Sequence, residues 1–410
     1  RFAFGAPADD MARRGALGPA QIDAIAAVLA GFHGAAPRAT PAGAYGAPAQ
    51  IAAPAIGNFD QIAALGAAPG AAAQLGRLRA WTEGECRRLQ PVFAARLAGG
   101  HVRECHGDLH LGNIAFIDGR AVPFDCIEFD PALRWIDVAS EVAFLVMDLR
   151  AHGLAAAGWR LLNDWLEATG DYAAAGVLRF YLVYRAMVRA KIAGLRNAAA
   201  SFDSYLALAG QLATERGPAL VLMHGLSGSG KTTLAQALLE RLGAVRLRSD
   251  VERKRLHGIG DARARSGAGL DAGIYSAAAS ERTYEHLAGL ARAILQEGYP
   301  VIVDAAFLRR AERDRFRDLA RSLGAPFLIA PCGASEETLL RRLAARAASA
   351  SDASDADAAV LAHQKATAER FAADEAGDVL AIDTSSDAAL RLGLDRAVAR
   401  LMELRSARHG

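Results

Sequence analysis

Residues 225–232 read Gly-Leu-Ser-Gly-Ser-Gly-Lys-Thr, the spacing G-x-x-x-x-G-K-[ST]. A loop of this kind turns successive backbone N–H groups inward around an anion. At the start of a helix the aligned peptide dipoles add to that attraction. Gly225, Ser227, Gly228, Ser229, Gly230, Lys231, Thr232 and Thr233 are the residues placed to line such a phosphate site. In this pattern the lysine reaches the β- and γ-phosphates of a nucleotide and the Thr232 hydroxyl ligates Mg²⁺. The flanks agree with the motif. Ala219–His224 is an apolar run fit for a buried strand, and Thr233–Leu242 has the apolar spacing of an amphipathic helix. ATP with Mg²⁺ is the cofactor pair this reading implies.

Two carboxylates follow apolar runs further on. Val301-Ile-Val-Asp304 has the form of a strand whose terminal carboxylate faces a metal, and Asp304 is the candidate for the Mg²⁺ side. Ser249-Asp250 follows the strand beginning at Val245, and a carboxylate there could take the proton of an attacking hydroxyl. Both aspartates also precede helical stretches, so each has a second reading as a helix N-cap. Arg253 and Lys254 could hold an anionic or hydroxylated substrate, or lie on solvated surface. Arg342 and Arg346 stand one helical turn apart, just before a small-residue stretch reaching Asp357. They read either as lid arginines offsetting charge on a transferring phosphoryl group or as cations at a helix C-terminus. The run Arg309–Arg317 mixes signs and reads as a solvated helix face.

The first half carries another constellation. His106-Gly-Asp-Leu-His-Leu-Gly-Asn113 is followed by Phe124-Asp125, with the turn signal Asp118-Gly119 between them. An Asp five residues before an Asn, then a further Asp after a short hairpin, is a phosphoryl-transfer arrangement. Asp108 would accept the proton, and Asn113 and Asp125 would hold the metal. Asp137 reads as a residue that caps or braces a helix.

These residues need a scaffold. After the linker Thr214–Pro218, strand candidates at 219–224, 245–249, 300–304, 326–330 and 378–382 alternate with helical stretches. Alternation of that kind builds an α/β domain with a parallel sheet covered by helices on both faces, its ligands at the carboxyl ends of the strands. Before the linker the pattern is mostly helical, with 34–73, rich in Ala, Gly and Pro, expected to be mostly loop. The expected domains are 1–215 and 216–410. With 47 basic and 45 acidic residues the net charge is +2, which disfavours an obligate nucleic-acid binder. The four cysteines form no C-x-x-C pair, and no stretch is long and apolar enough to span a bilayer. Reduced thiols and a cytoplasmic location, with no membrane partner, are the expectation.

Residues 219–383 resemble the P-loop kinases that include gluconate kinases, zeta-toxin-like sugar kinases and the phage polynucleotide kinase domain. The likeness rests on Gly225–Thr232, Ser249-Asp250 with Arg253, Val301–Asp304, and Arg342 with Arg346. It implies that Asp250 is the catalytic or substrate-binding carboxylate. Residues 104–137 are similar to aminoglycoside phosphotransferases. With the loop domain following, nearly the whole chain resembles the bifunctional aminoglycoside phosphotransferase/ATP-binding proteins. The resemblance implies a protein-kinase-like C-lobe ahead of the P-loop domain. Such kinases also use an N-lobe with a glycine-rich loop and a lysine, yet lysine first occurs here at Lys191. The N-lobe is therefore expected to be missing from this chain. The expected activity is phosphoryl transfer from ATP to a small-molecule hydroxyl. A regulatory ATP-binding module and a polynucleotide 5′-hydroxyl kinase are the alternatives.

Overall fold

The computed structural model describes residues 5–66, 69–259, 273–349 and 358–406. The chain divides into two compact units, residues 1–215 and 216–410. No described helix is long and apolar enough to cross a membrane.

The first unit is mainly helical. Its central helix, Val138–Ala151, is buried from Val138 through Leu149. A helix apolar on nearly every side must be encased, and Ala155–Thr169 and Ala175–Leu195 pack against it. Asp137 starts this helix, its Oδ1 accepting the Ala139 N–H at 2.9 Å. The same carboxylate takes two hydrogen bonds from Arg96, at 2.6 and 2.8 Å, and Arg96 in turn reaches Asp171. Asp137 therefore both caps and braces, as its position implied.

Small antiparallel sheets lie beside the helices. β1 (Gly5–Pro7), β3 (Ile114–Ile117) and β4 (Arg120–Pro123) form one in the order β1-β3-β4, and β2 (Val102–Glu104) pairs with β5 (Trp135–Asp137) in another. Asp118 and Gly119 join β3 to β4 with φ of 49° and 76°, the two left-handed residues a tight hairpin requires. One expectation fails in this unit. The segment read as mostly loop contains the helix Pro48–Ala64, which buries Ala55, Phe59 and Ile62. Those positions fall on one face at i, i+4 and i+7, and Pro48 sits at a helix start, where its missing N–H costs nothing.

The second unit is built on five parallel strands: β6 (Leu220–His224), β7 (Val245–Arg248), β8 (Val301–Asp304), β9 (Phe327–Gly333) and β10 (Ile382–Asp383). Their order is β10-β9-β6-β8-β7. β6 is central, and its Leu220, Val221, Leu222 and Met223 are all buried, as helices on both faces demand. β8 therefore lies between the strand that feeds the glycine loop and the strand that feeds Asp250.

Candidate functional site

The glycine loop leaves the end of β6 and enters the helix Lys231–Leu242. Gly225, Gly228 and Gly230 have φ of 136°, 81° and 85°, in the region L side chains avoid. Space forbids a side chain as well: a Cβ on Gly225 would lie 2.8 Å from the Cys332 carbonyl oxygen, and one on Gly228 2.9 Å from that of Leu339. Lys231 Nζ donates to the carbonyls of Gly225 and Leu226, each at 2.9 Å. Thr232 is half-buried and Thr233 exposed, while Ser227, Gly228 and Ser229 are buried. Ser229 Oγ is a buried hydroxyl without a hydrogen-bond partner among the described residues. Thr384 supports the loop from beneath, its hydroxyl lying 2.7 Å from the Ser229 carbonyl and 3.0 Å from that of Gly333.

Asp304 ends β8, buried, in register with Arg248 on β7. Arg248 Nε approaches Asp304 Oδ2 at 3.9 Å. The helix after β8 is Arg310–Ser322 and its N-cap is Arg309, so Asp304 is not a cap. Asp250 lies in the first turn of Ser249–Leu256, where the N-cap is Arg248. The capping alternative is thereby overturned for both aspartates. Solvated surface is overturned for Arg253 and Lys254, which are buried. Arg253 Nη1 is held by the Ile274 carbonyl and Ser280 Oγ, both at 3.0 Å.

Arg342 belongs to the helix Glu336–Ser349. Its guanidinium spans from the Gly228 carbonyl, at 3.3 Å, to the Thr384 carbonyl, at 2.6 Å. The Arg346 side chain and residues 350–357 of the proposed lid lie outside the described residues. The arginine run is not a solvated face throughout. Arg313 is fully buried, with bonds of 2.7 and 3.0 Å to the two oxygens of Glu375, and Arg317 is buried beside it. An acidic partner some sixty residues downstream draws two of the run's five arginines inward.

His224 closes β6. Both its ring nitrogens are buried without a hydrogen-bond partner among the described residues, and its ring lies 4.6 Å from that of Phe371. Burial, reinforced by Arg313 and Lys231, pushes the imidazole down to about 4. Burial likewise pushes the Cys332 thiol up to about 12, against the pull of Lys231.

In the first unit, Asp108 and Asn113 come together. Asn113 Nδ2 donates to the Asp108 carbonyl at 3.0 Å and lies 3.4 Å from Oδ2, while the Asp108 side chain is 42% exposed. His110 Nδ1 accepts from the Gly112 N–H at 3.0 Å, and burial with Arg189 nearby pushes its ring below the ordinary histidine value. Asp125 is exposed, with φ of 61°, directly after Phe124. Phe124 is bonded on both sides to the 106–113 loop: its N–H to the Asn113 carbonyl at 3.0 Å, its carbonyl to His106 Nε2 at 2.7 Å. Sequence reading missed Glu141, the residue that anchors this loop. Fully buried, it accepts the N–H groups of His106 and Gly107 at 2.7 and 2.9 Å and pairs with His33 Nε2 at 2.9 Å. Its signal was an acid inside an apolar helix, one shared by Asp148, which accepts the Leu111 N–H of the same loop at 2.9 Å. His33, Cys105 and Glu141 cluster here, with His33 bonded to Glu141 and the Cys105 thiol donating to the Ile136 carbonyl at 3.7 Å.

Residues 220–371 match the sequence family described as AAA domain. An uncharacterized protein of Mycobacterium tuberculosis is 34% identical over 281 residues, covering 67% of this chain and 56% of its own length. One of Mycobacterium bovis aligns to the same extent. The chain thus spans about half the length of the curated relatives it matches. Among solved structures, a gluconokinase from Sinorhizobium meliloti is 21% identical with a TM-score of 0.35, covering 48% of this chain and 98% of that one. The Mycobacterium tuberculosis APS kinase is 19% identical with a TM-score of 0.35, covering 46% and 98%. The matched family segment holds the glycine loop, Asp250, Asp304 and Arg342 together.

Proposed function

We propose that the second unit transfers the γ-phosphate of ATP to a hydroxyl group of a small molecule. One observation carries this reading: β8 separates β6 from β7, so Asp304 stands between the glycine loop and Asp250 at the carboxyl edge of one parallel sheet. A nucleotide-operated switch needs the loop and the metal-side carboxylate. It has no use for a further carboxylate beyond them. The three left-handed glycines and the unpartnered Ser229 hydroxyl fit a bound triphosphate. Thr232 and Asp304 would hold Mg²⁺, which supplies charge neutralisation on the phosphates when bound. Lys231 would leave the loop carbonyls for the phosphates. Asp250 would accept the acceptor's hydroxyl proton on a carboxylate oxygen. Arg342 is positioned against the loop, and Arg346 is assigned to the same side by its spacing.

For the first unit we propose an aminoglycoside-phosphotransferase-like C-lobe, supported by the Asp108–Asn113 contact and the stitching of Phe124 to the same loop. Asp108 would be the base and Asn113 and Asp125 the metal ligands.

The test is a screen of the chain with γ-labelled ATP against sugars, aminoglycosides, nucleosides and 5′-hydroxyl oligonucleotides, repeated with Asp250→Asn. Label should move to a small-molecule acceptor. In the variant that transfer should fall by about 10²-fold or more while nucleotide binding is kept. Release of free phosphate alone, unaffected by Asp250→Asn, would favour the regulatory module instead.

A further inference from the structure

Three consecutive residues of the glycine loop are held by two helices that follow more than a hundred residues later. Leu226 packs on the cluster of Leu339, Leu343 and Leu361. The Ser227 N–H donates to Gln364 Oε1 at 2.8 Å. The Gly228 carbonyl accepts from Arg342. Leu339, Arg342 and Leu343 belong to Glu336–Ser349, and Leu361 and Gln364 to Ala358–Thr367.

The middle contact differs in kind from the other two. Leu226 offers a side chain and Gly228 a carbonyl, neither of which binds an anion. The Ser227 N–H is a donor of the loop, the class of group that phosphate oxygens occupy in such motifs. A carboxamide oxygen at 2.8 Å makes the hydrogen bond a phosphate oxygen would make, without the charge. One N–H cannot serve both at full strength. A phosphate oxygen taking that N–H would break or weaken the bond to Gln364, and with it one of the ties to Ala358–Thr367.

Resting on the nucleotide reading above, we propose that Gln364 is a phosphate surrogate. It satisfies the Ser227 N–H when no nucleotide is bound and is displaced by a phosphate oxygen, which makes it a positioning residue that lowers nucleotide affinity. A glutamine with a merely structural role would tie the helix down without opposing the ligand.

The experiment measures Mg·ADP and inorganic phosphate binding to the full chain and to Gln364→Ala and Gln364→Glu, with thermal unfolding in parallel. Gln364→Ala removes the competitor and should bind ADP about 3- to 10-fold more tightly, the equivalent of one neutral hydrogen bond no longer broken. Gln364→Glu keeps an acceptor and adds a negative charge, and should bind about 10-fold or more weakly. Gln364→Ala binding no more tightly than the parent would overturn the surrogate role, whatever its melting temperature. So would Gln364→Glu binding as tightly as the parent, a variant that keeps the side-chain length should Gln364→Ala fail to fold. A parent chain that binds neither ADP nor phosphate would overturn the nucleotide reading itself, and the surrogate role with it.

Discussion

Acid should unfold the second unit through His224. Its imidazole is pushed from the usual 6.5 down to about 4, first by burial and then by Arg313 and Lys231, with Glu375 opposing. Well above pH 7 both the folded and unfolded forms are neutral at this site, and it adds little to pH dependence. As pH falls through 6.5 the unfolded chain takes up a proton that the folded chain refuses until about 4. Stability is therefore lost across that window, by about 3 kcal/mol in total. His224→Asn keeps a planar polar side chain and cannot titrate there. All four tryptophans, Trp81, Trp135, Trp159 and Trp165, lie in the first unit, so indole fluorescence follows that unit alone. Far-UV circular dichroism follows both, and the transition it shows beyond the fluorescence change belongs to the second unit. Denaturant titrations from pH 7.5 to 4 should give parent and variant curves that diverge by about 3 kcal/mol, the parent losing more. Curves that stay parallel would refute the reasoning, because other acid-sensitive groups act on both chains alike.

Lys231→Ala should lower ATP turnover by about 10²- to 10³-fold, since a transition-state charge partner is lost; steady-state phosphate release measures it. Arg313→Met should cost about 3–5 kcal/mol in denaturant titrations by leaving the buried Glu375 carboxylate without its bidentate partner and with only the more distant Arg317, and Arg313→Met with Glu375→Leu should recover much of that loss. Glu141→Gln should destabilise the first unit by about 1–3 kcal/mol, read by tryptophan fluorescence. Trp165 Nε1–H donates to His33 Nδ1, leaving the Nε2 proton aimed at residue 141, and the His106 and Gly107 N–H groups point there too. An amide must turn its NH₂ toward one of those donors.

What could be read in the sequence divides along a physical line. The central strands β6, β8 and β9 announced themselves because such parallel strands are apolar on both faces, and Leu220–Met223 and Val301–Val303 could be little else, whereas the stretch read as a strand at 378–382 meets the outer strand β10 only at Ile382. The glycine loop was legible because its conformation needs particular residues at particular spacings. The Asp118-Gly119 hairpin was legible for the same reason. The helix Pro48–Ala64 was hidden by alanine, whose burial leaves a faint pattern, and by Pro54 within it. The burial of Arg313 and Arg317 was illegible because Glu375 and Asp378 lie far downstream, and local charge mixing looks the same on a solvated face. Gln364 carried no signal at all: its meaning comes from one hydrogen bond across 137 residues of chain.

The two margins of the parallel sheet have a bearing on solution behaviour. An outer strand exposes a row of unpaired peptide groups that another chain could extend, and long flat apolar margins are where such extension begins. Here β10 is two residues long, too short to template much. β7, on the opposite margin, has four residues and alternates Val245 and Leu247 with Arg246 and Arg248. Its arginines are drawn into the unit, Arg246 to Gln236 Oε1 at 2.8 Å and Arg248 toward Asp304, and four residues offer a strand arriving alongside only a few hydrogen bonds. Both margins are thus poor seeds for strand addition, so a sheet rich in apolar β-formers can be made in quantity without inviting copies of itself to join at either side.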